Sequence, residues 1–498
     1  MSGSKPKALL KHSKGKKKSE QILSTADDFQ QAGVDFEEAA GKWRAGDAAK
    51  SMRFFSKALE TYEEGLRKFP TSLDLAYNKA RVLLEVATHP ILVNQLQTPV
   101  LEALQRALDA HQYALNLDQE NPDTIFNTAQ VLTSIAEIYA RDGADQQALQ
   151  TLEQALELQT RCLALQELKL EEATQQQAGL EAQNDDEDDI GGVNLPTLED
   201  TTEQIPSTTA NNNEEQWFSI VEPVTKDTLI DTILAQLGTL TTLCSIVSSL
   251  ANPALASSLA WVEEFSAKLV KTKLPVLIRE ATPDRMQEVA LTSAIFMSNL
   301  LEAGYRMGSI DAETYKRERD DAFKTPELGL NGSFAALSAN ASSLMSFSVS
   351  IKDREQPLMA SHASQSWNAL SAAITNLATA ANISEPIPDE IAETHLLRGN
   401  CSLLQYQLGR PPTSYQQAAK NEGQLLKNAD VFYRNACKLY QDGEQKSVSQ
   451  FRVSVVQALQ QGNDITATAR TAGQSRGQEW IEAQLDDMTE EGLVSLDG

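Results

Sequence analysis

Five histidines (His12, His89, His111, His362 and His395) and four cysteines (Cys162, Cys244, Cys401 and Cys437) are the residues best suited to nucleophilic or metal chemistry. None stands at a spacing that would bring two of them onto one turn or helix face. The closest cysteines are 36 residues apart, which reads as reduced, buried thiols of an intracellular protein. The chain has no phosphate-cradling glycine loop, no nucleophile elbow and no HExxH pair, and its many carboxylates single out no acid/base couple. The expectation is a non-enzyme with no cofactor and no bound metal. What does recur is recognition chemistry. Tyr77-Asn78 and Phe126-Asn127 repeat at an offset of 49 residues. A carboxamide both donates and accepts, so such an Asn suits the backbone of an extended peptide, and it suits equally the bracing of a turn between helices. The other candidates are Lys11, Lys14, Lys16, Lys17 and Lys18, whose clustering fits an import signal or a contact to phosphate.

The segments that must position these residues repeat as well. Residues 57–87 align with 106–136 without a gap, and nine of 31 positions are identical, falling on helical faces. Each copy runs as helix, Pro-containing turn (Pro70, Pro122) and helix. A small-large-small triplet at i, i+4, i+7 marks Ala58, Tyr62, Gly65, then Ala107, His111, Ala114, then Ala148, Leu152, Ala155. It returns as Ala373, Leu377, Ala380 and as Ala429, Tyr433, Ala436. Small residues let two helices approach closely while the large one fills the gap to the next pair. His111 at a large position reads as core.

This pattern resembles the tetratricopeptide repeat, and the third copy adds Ala136, Tyr139 and the turn glycine Gly143 at the expected places. The repeats are spaced by 49 and then 41 residues, longer than the family's unit of about 34. The resemblance implies an all-α fold, a TPR-like α-solenoid of helical hairpins in two lobes joined by a disordered acidic linker. It implies that first helices line a peptide groove, placing Tyr77, Asn78, Phe126 and Asn127 there. One branch of the family clamps the carboxylates of Hsp70 and Hsp90 tails with paired Lys and Arg. Here Lys79 and Arg81 are replaced by Thr128 and Gln130 in the second copy, which argues against that branch.

Further along, residues 225–461 read as a succession of helices. Thr232 to Val262 carries no charge, which raises a membrane span, but its Ser, Thr and Gln content and the Asn252-Pro253 break favour two buried amphipathic helices. Residues 325–360 read as an irregular or short helical connection. Four Asn-x-Ser/Thr sequons, Asn400 among them, read as accidental in a chain whose first thirty residues hold no apolar export segment.

Charge completes the division. The chain of 498 residues carries −26, yet residues 1–18 hold seven lysines and no acid, so the rest is more acidic than the total. Residues 171–215 hold thirteen acids and no Lys or Arg. The expected plan is a basic disordered tail (1–22), N-terminal repeats (30–170), an acidic disordered linker (171–216), a C-terminal helical-repeat domain (217–461) and an acidic tail (462–498). In that tail Trp480, Ile481, Leu485 and Met488 share a helical face that could dock. Such a chain is expected to be a protein-binding scaffold, cytoplasmic or nuclear, holding a basic polypeptide in the manner of an assembly chaperone. It carries no DNA specificity; its tail offers RNA or an import receptor a contact. A chaperone-tail adaptor or a structural subunit are the alternatives.

Overall fold

Thr25, Asp47 and Ser72 each accept a hydrogen bond from the backbone N–H three residues on, and a helix begins after each. The computed structural model describes residues 23–187, 224–250, 256–354, 359–383, 387–441 and 443–495. Among them there is no strand. The basic tail with Lys11, Lys14, Lys16, Lys17 and Lys18, and residues 188–216 of the expected linker, lie outside the described residues. The chain divides into two compact units, 1–138 and 139–498.

The N-terminal unit is built from α1 (Ala26–Arg44), α2 (Ala48–Lys68), α3 (Leu73–Thr88), the single turn α4 (Pro90–Val93), α5 (Val100–Leu117) and α6 (Pro122–Arg141). α1 pairs with α2 and α3 with α5 as helical hairpins. Phe29, Phe55, Tyr62, Leu75, Val82 and Leu92 are fully or almost fully buried between them. The first hairpin closes through Gly33, whose missing side chain leaves room for the Tyr62 ring; any Cβ there would overlap it.

His111 occupies the equivalent large position on α5 and is completely buried, with neither ring nitrogen in a well-formed hydrogen bond. Burial lowers its pKa to about 4, against a smaller opposing contribution from the Ala80 backbone. Since the unfolded chain takes up a proton near pH 6.5 and the native ring resists it, stability is complete above pH 6.5 and drains away as pH falls toward 4. Between pH 7.5 and pH 5 we expect a loss of about 2 kcal/mol in this unit that His111→Leu abolishes. Urea titrations of both chains at the two pH values check this; an identical pH response would refute it.

The C-terminal unit opens with the long helix α7 (Asp145–Glu187), followed by α8 (Lys226–Leu250) lying along it. Gln159 Nε2 donates to Thr239 Oγ1 at 2.9 Å and the Thr232 hydroxyl to Gln166 Oε1 at 2.8 Å, stitching a buried polar seam. The expected boundary at residue 171 is therefore corrected: helix continues to Glu187, and residues 139–170 belong with the C-terminal half. The acidic stretch starts with Glu, Ala, Gln and Leu, all strong helix formers, so a low-complexity composition did not interrupt the helix.

The unit continues with α9 (Ala256–Ala267), a π-turn (Lys268–Lys273), α10 (Leu274–Leu277), α11 (Pro283–Arg306), α12 (Ala312–Ala322) and α13 (Phe334–Arg354). Then follow α14 (Ala360–Ala380), α15 (Pro388–Leu408), α16 (Gln416–Lys420), α17 (Glu422–Leu439), α18 (Glu444–Gln461), α19 (Ile465–Ala472) and α20 (Gln478–Glu490). Successive helices pack as hairpins, α13 on α14, α15 on α17 and α17 on α18, so the architecture is that of a helical repeat. The expected irregular stretch 325–360 is instead mostly the 21-residue α13, with Ser343, Ser348, Ser350 and Asn340 buried among its apolar residues. α8 and α13 are each long and apolar enough to cross a membrane, and more than half of the most apolar 18-residue stretch of each is buried inside the protein. The acidic tail expected from residue 462 is also corrected. α19, α20 and the residues just after them join the main core through Ala469, Ile481, Leu485, Met488, Leu493 and Val494.

Candidate functional site

In the N-terminal unit, Tyr77 and Asn78 sit on α3 and Phe126 and Asn127 on α6, all half-buried. The structure brings two of the four together: Asn127 Nδ2 donates to the Tyr77 hydroxyl at 3.0 Å. That bond uses the Asn127 amide as a brace between first helices. The nearby cations are engaged too. Lys79 pairs with Glu63 at 3.1 Å, and Arg81 with Glu37, which also accepts from the Tyr62 hydroxyl.

In the C-terminal unit a cavity of about 610 Å³ opens between α11, α13, α15, α18 and α20. Its apolar lining includes Leu396, Leu397, Leu404, Val448 and Leu493. Around these stand five carboxylates, Glu302, Glu393, Glu444, Asp487 and Glu491, and two guanidinium groups, Arg306 and Arg452. Both arginines are already neutralised. Arg306 reaches Glu302 at 3.0 Å and Asp353 at 2.8 Å. Arg452 holds Glu491 in a two-pronged grip, Nη2 to Oε1 at 2.8 Å and Nη1 to Oε2 at 2.9 Å. Glu444 is paired with Arg476 at 3.1 Å. Among the described residues Glu393 and Asp487 have only neutral donors, Tyr440 Oη at 2.7 Å and Gln484 Nε2 at 3.0 Å. The lining therefore presents negative charge over an apolar floor, a surface for a cationic side chain with an aliphatic stem.

The floor of the cavity is fixed by a buried network. Asn400 Oδ1 accepts from the Tyr433 hydroxyl at 2.8 Å and from Arg452 Nη1 at 2.7 Å, and Asn400 Nδ2 donates to Glu491 at 3.2 Å. Burial opposes the charge on Arg452, and Tyr433 and Glu491 more than offset it, so its pKa is raised. Tyr433 packs on Gly399 as Tyr62 packs on Gly33. An arginine follows each tyrosine by 19 residues, Arg81 after Tyr62 and Arg452 after Tyr433. That shared offset was the one sequence signal that could have located Arg452. Asn400 and Glu491 carried none.

The four cysteines form no disulfide; Cys162, Cys244 and Cys401 are buried and Cys437 is half-buried. Burial pushes Cys244 and Cys401 up to about 12, leaving them protonated and inert. Among the described residues no three His, Cys, Asp or Glu side chains are grouped to hold a metal ion.

No protein-family model matches the chain. It is 38% identical over 160 residues to the UPF0656 protein C926.02 of Schizosaccharomyces pombe, a match covering 31% of this chain and 35% of that protein. It is 38% identical over 76 residues to the uncharacterized protein YNL193W of Saccharomyces cerevisiae, 14% of each. Among solved structures it resembles a "circular tandem repeat protein with novel repeat topology and enhanced subunit contact surfaces" over 94% of this chain and 95% of that one. Identity there is 12% and the TM-score 0.31, too low to establish a shared fold. The chain thus spans about a third of the length of the first of its curated relatives and about a seventh of the second.

Proposed function

We propose that the protein is a non-enzymatic, TPR-like scaffold that holds a basic segment of a client polypeptide, as an assembly chaperone for ribosomal or other nucleic-acid-binding proteins would. The observation that carries this reading is the cavity of the C-terminal unit, where Glu393 and Asp487 face an apolar floor without a cation within ion-pair distance among the described residues. The small-large-small triplets support the TPR-like part, since Ala58, Tyr62, Ala429, Tyr433 and Ala436 are all completely buried. A chaperone-tail adaptor is less well supported, because Lys79 and Arg81 are spent on Glu63 and Glu37. In this reading the basic N-terminal tail serves import or RNA contact, and the protein works in the cytoplasm, the nucleus or both.

The test uses the full chain and a labelled twelve-residue peptide alternating Arg and Leu. Its affinity is expected to fall about tenfold between low and moderate salt, because screening weakens attraction between exposed charges. The double variant Glu393→Gln/Asp487→Asn should weaken it about fivefold or more at low salt, since each charged group contributes on the order of 1 kcal/mol. Binding that ignores both changes would refute the reading.

A further inference from the structure

α20 and the residues after it occupy the C-terminal unit in the way a ligand occupies a groove. Ile481, Leu485 and Met488 form an i, i+4, i+7 row of buried anchors, and Leu493 and Val494 continue it beyond the helix end. Past the helix, Glu491 enters the Arg452–Asn400 grip and the Leu493 carbonyl accepts from Gln407 Nε2 at 2.9 Å. The segment is tethered to α19 by the short turn Gly473–Gly477.

Two features distinguish this from an ordinary closing helix. In the N-terminal unit the equivalent arginine, Arg81, draws its carboxylate from Glu37 of the preceding hairpin. Among the described residues Arg452 has no such ion pair to the preceding hairpin: its carboxylate comes from Glu491, which follows both α19 and α20 in the chain. In charge the segment is also poorly matched to the wall it lines, although its Trp480 Nε1 donates to Glu444. It carries Glu479, Glu482, Asp486, Asp487, Glu490 and Glu491 with no Lys or Arg, and it shares the cavity with Glu302, Glu393 and Glu444. Arg452 is 6% exposed and its Nε has no hydrogen-bond partner, so the guanidinium depends on an incoming carboxylate.

We propose that Arg452, Asn400 and Tyr433 form a carboxylate-recognition site for an acidic, amphipathic segment, and that the chain's own residues 478–495 are its resident and exchangeable occupant. The ligand class in trans is a partner's acidic helix with apolar residues at i, i+4 and i+7 and a glutamate just past its end. The site lies at the floor of the basic-client cavity and is of opposite polarity to its acidic lining. With Glu491 seated, Arg452 is neutralised and the cavity is acidic; with the segment out, Arg452 is offered to solvent. This goes beyond the basic-client reading and is scored by exchange of an acidic peptide, so either can fail alone.

The test places a protease site in the Gly473–Gly477 turn of the full chain, cleaves it after folding, and adds a labelled synthetic peptide of residues 478–498. The cleaved chain should keep its helical content and exchange its fragment for the labelled peptide. The Glu491→Gln peptide should bind about tenfold or more weakly, having lost a charge-assisted two-pronged contact. The uncleaved chain should bind the labelled peptide about a hundredfold more weakly than the cleaved one, because its tethered segment competes at high effective concentration. Amide exchange on the uncleaved chain gives an independent reading. α20 should open well before α15 and α18, by sub-global rather than global unfolding. A cleaved chain that unfolds, a fragment that never exchanges, equal binding of the Glu491→Gln peptide, or α20 amides that exchange only with the whole unit would each overturn the proposal.

Discussion

Arg452→Ala is expected to lower the stability of the C-terminal unit by about 3 kcal/mol, toward the lower end of what breaking a buried ion pair costs. The guanidinium is 6% exposed and supplies Asn400 and Glu491 with three hydrogen bonds. Truncation leaves Asn400 Oδ1 with only the Tyr433 hydroxyl and leaves Glu491 with only the Asn400 amide. Glu491 is 42% exposed, so water recovers part of its loss, which places the expectation at the low end. Arg452→Met fills the same space without a charge and should recover some of the deficit through packing, while still leaving Glu491 without its cation. Urea denaturation followed by amide protection at α15 and α18 reports this unit separately from the N-terminal one, which a single global transition would not. A loss under about 1 kcal/mol for Arg452→Ala would mean that the network is relaxed by water and is not what fixes the cavity floor.

What was legible in the sequence was local. The triplets around Tyr62, His111 and Tyr433 fall on second helices with their large residues completely buried, because packing at i, i+4 and i+7 is set by helix geometry alone. The apolar face of Ile481, Leu485 and Met488 was legible for the same reason, though not that it would be drawn into the core. The site itself was not legible. Arg452, Asn400 and Glu491 come from three elements, and nothing in the spacing of an Asn and a Glu 91 residues apart announces that they meet. Composition misled in two places. The Glu- and Gln-rich start of the acidic stretch reads as disorder but continues α7, and the Ser- and Asn-rich residues of α13 read as an irregular or short helical connection. There Ser343 and Ser298 satisfy one another across the interface, and Asn340 accepts from the buried Arg319. Tertiary partners decide such helices, and the local sequence does not display them.

Gly399→Ala is expected to destabilise the C-terminal unit by about 2 kcal/mol, although alanine is the better helix former by about 1 kcal/mol. A Cβ at residue 399 overlaps the Tyr433 ring, and that ring has nowhere to go: it is completely buried, and its hydroxyl is held by Asn400 at 2.8 Å. Overpacking of this kind costs about 1–3 kcal/mol, and here it must also exceed the propensity gain. Gly41 provides the control, since it lies in α1 with open space where its side chain would be. Gly41→Ala should therefore stabilise by about 0.5–1 kcal/mol, the opposite sign for the same chemical change. If the clash is the cause, shrinking its other partner relieves it. Gly399→Ala combined with Tyr433→Leu should lose less than the two single changes added together. The clash also reaches the candidate site, because a displaced Tyr433 ring carries its hydroxyl away from Asn400 and loosens the amide that donates to Glu491. Gly399→Ala should then raise amide exchange in α20 more than in α8, which shares no hydrogen bond with that network. Uniform loss of protection across both helices would instead mark Gly399 as a general packing residue with no particular hold on the cavity floor.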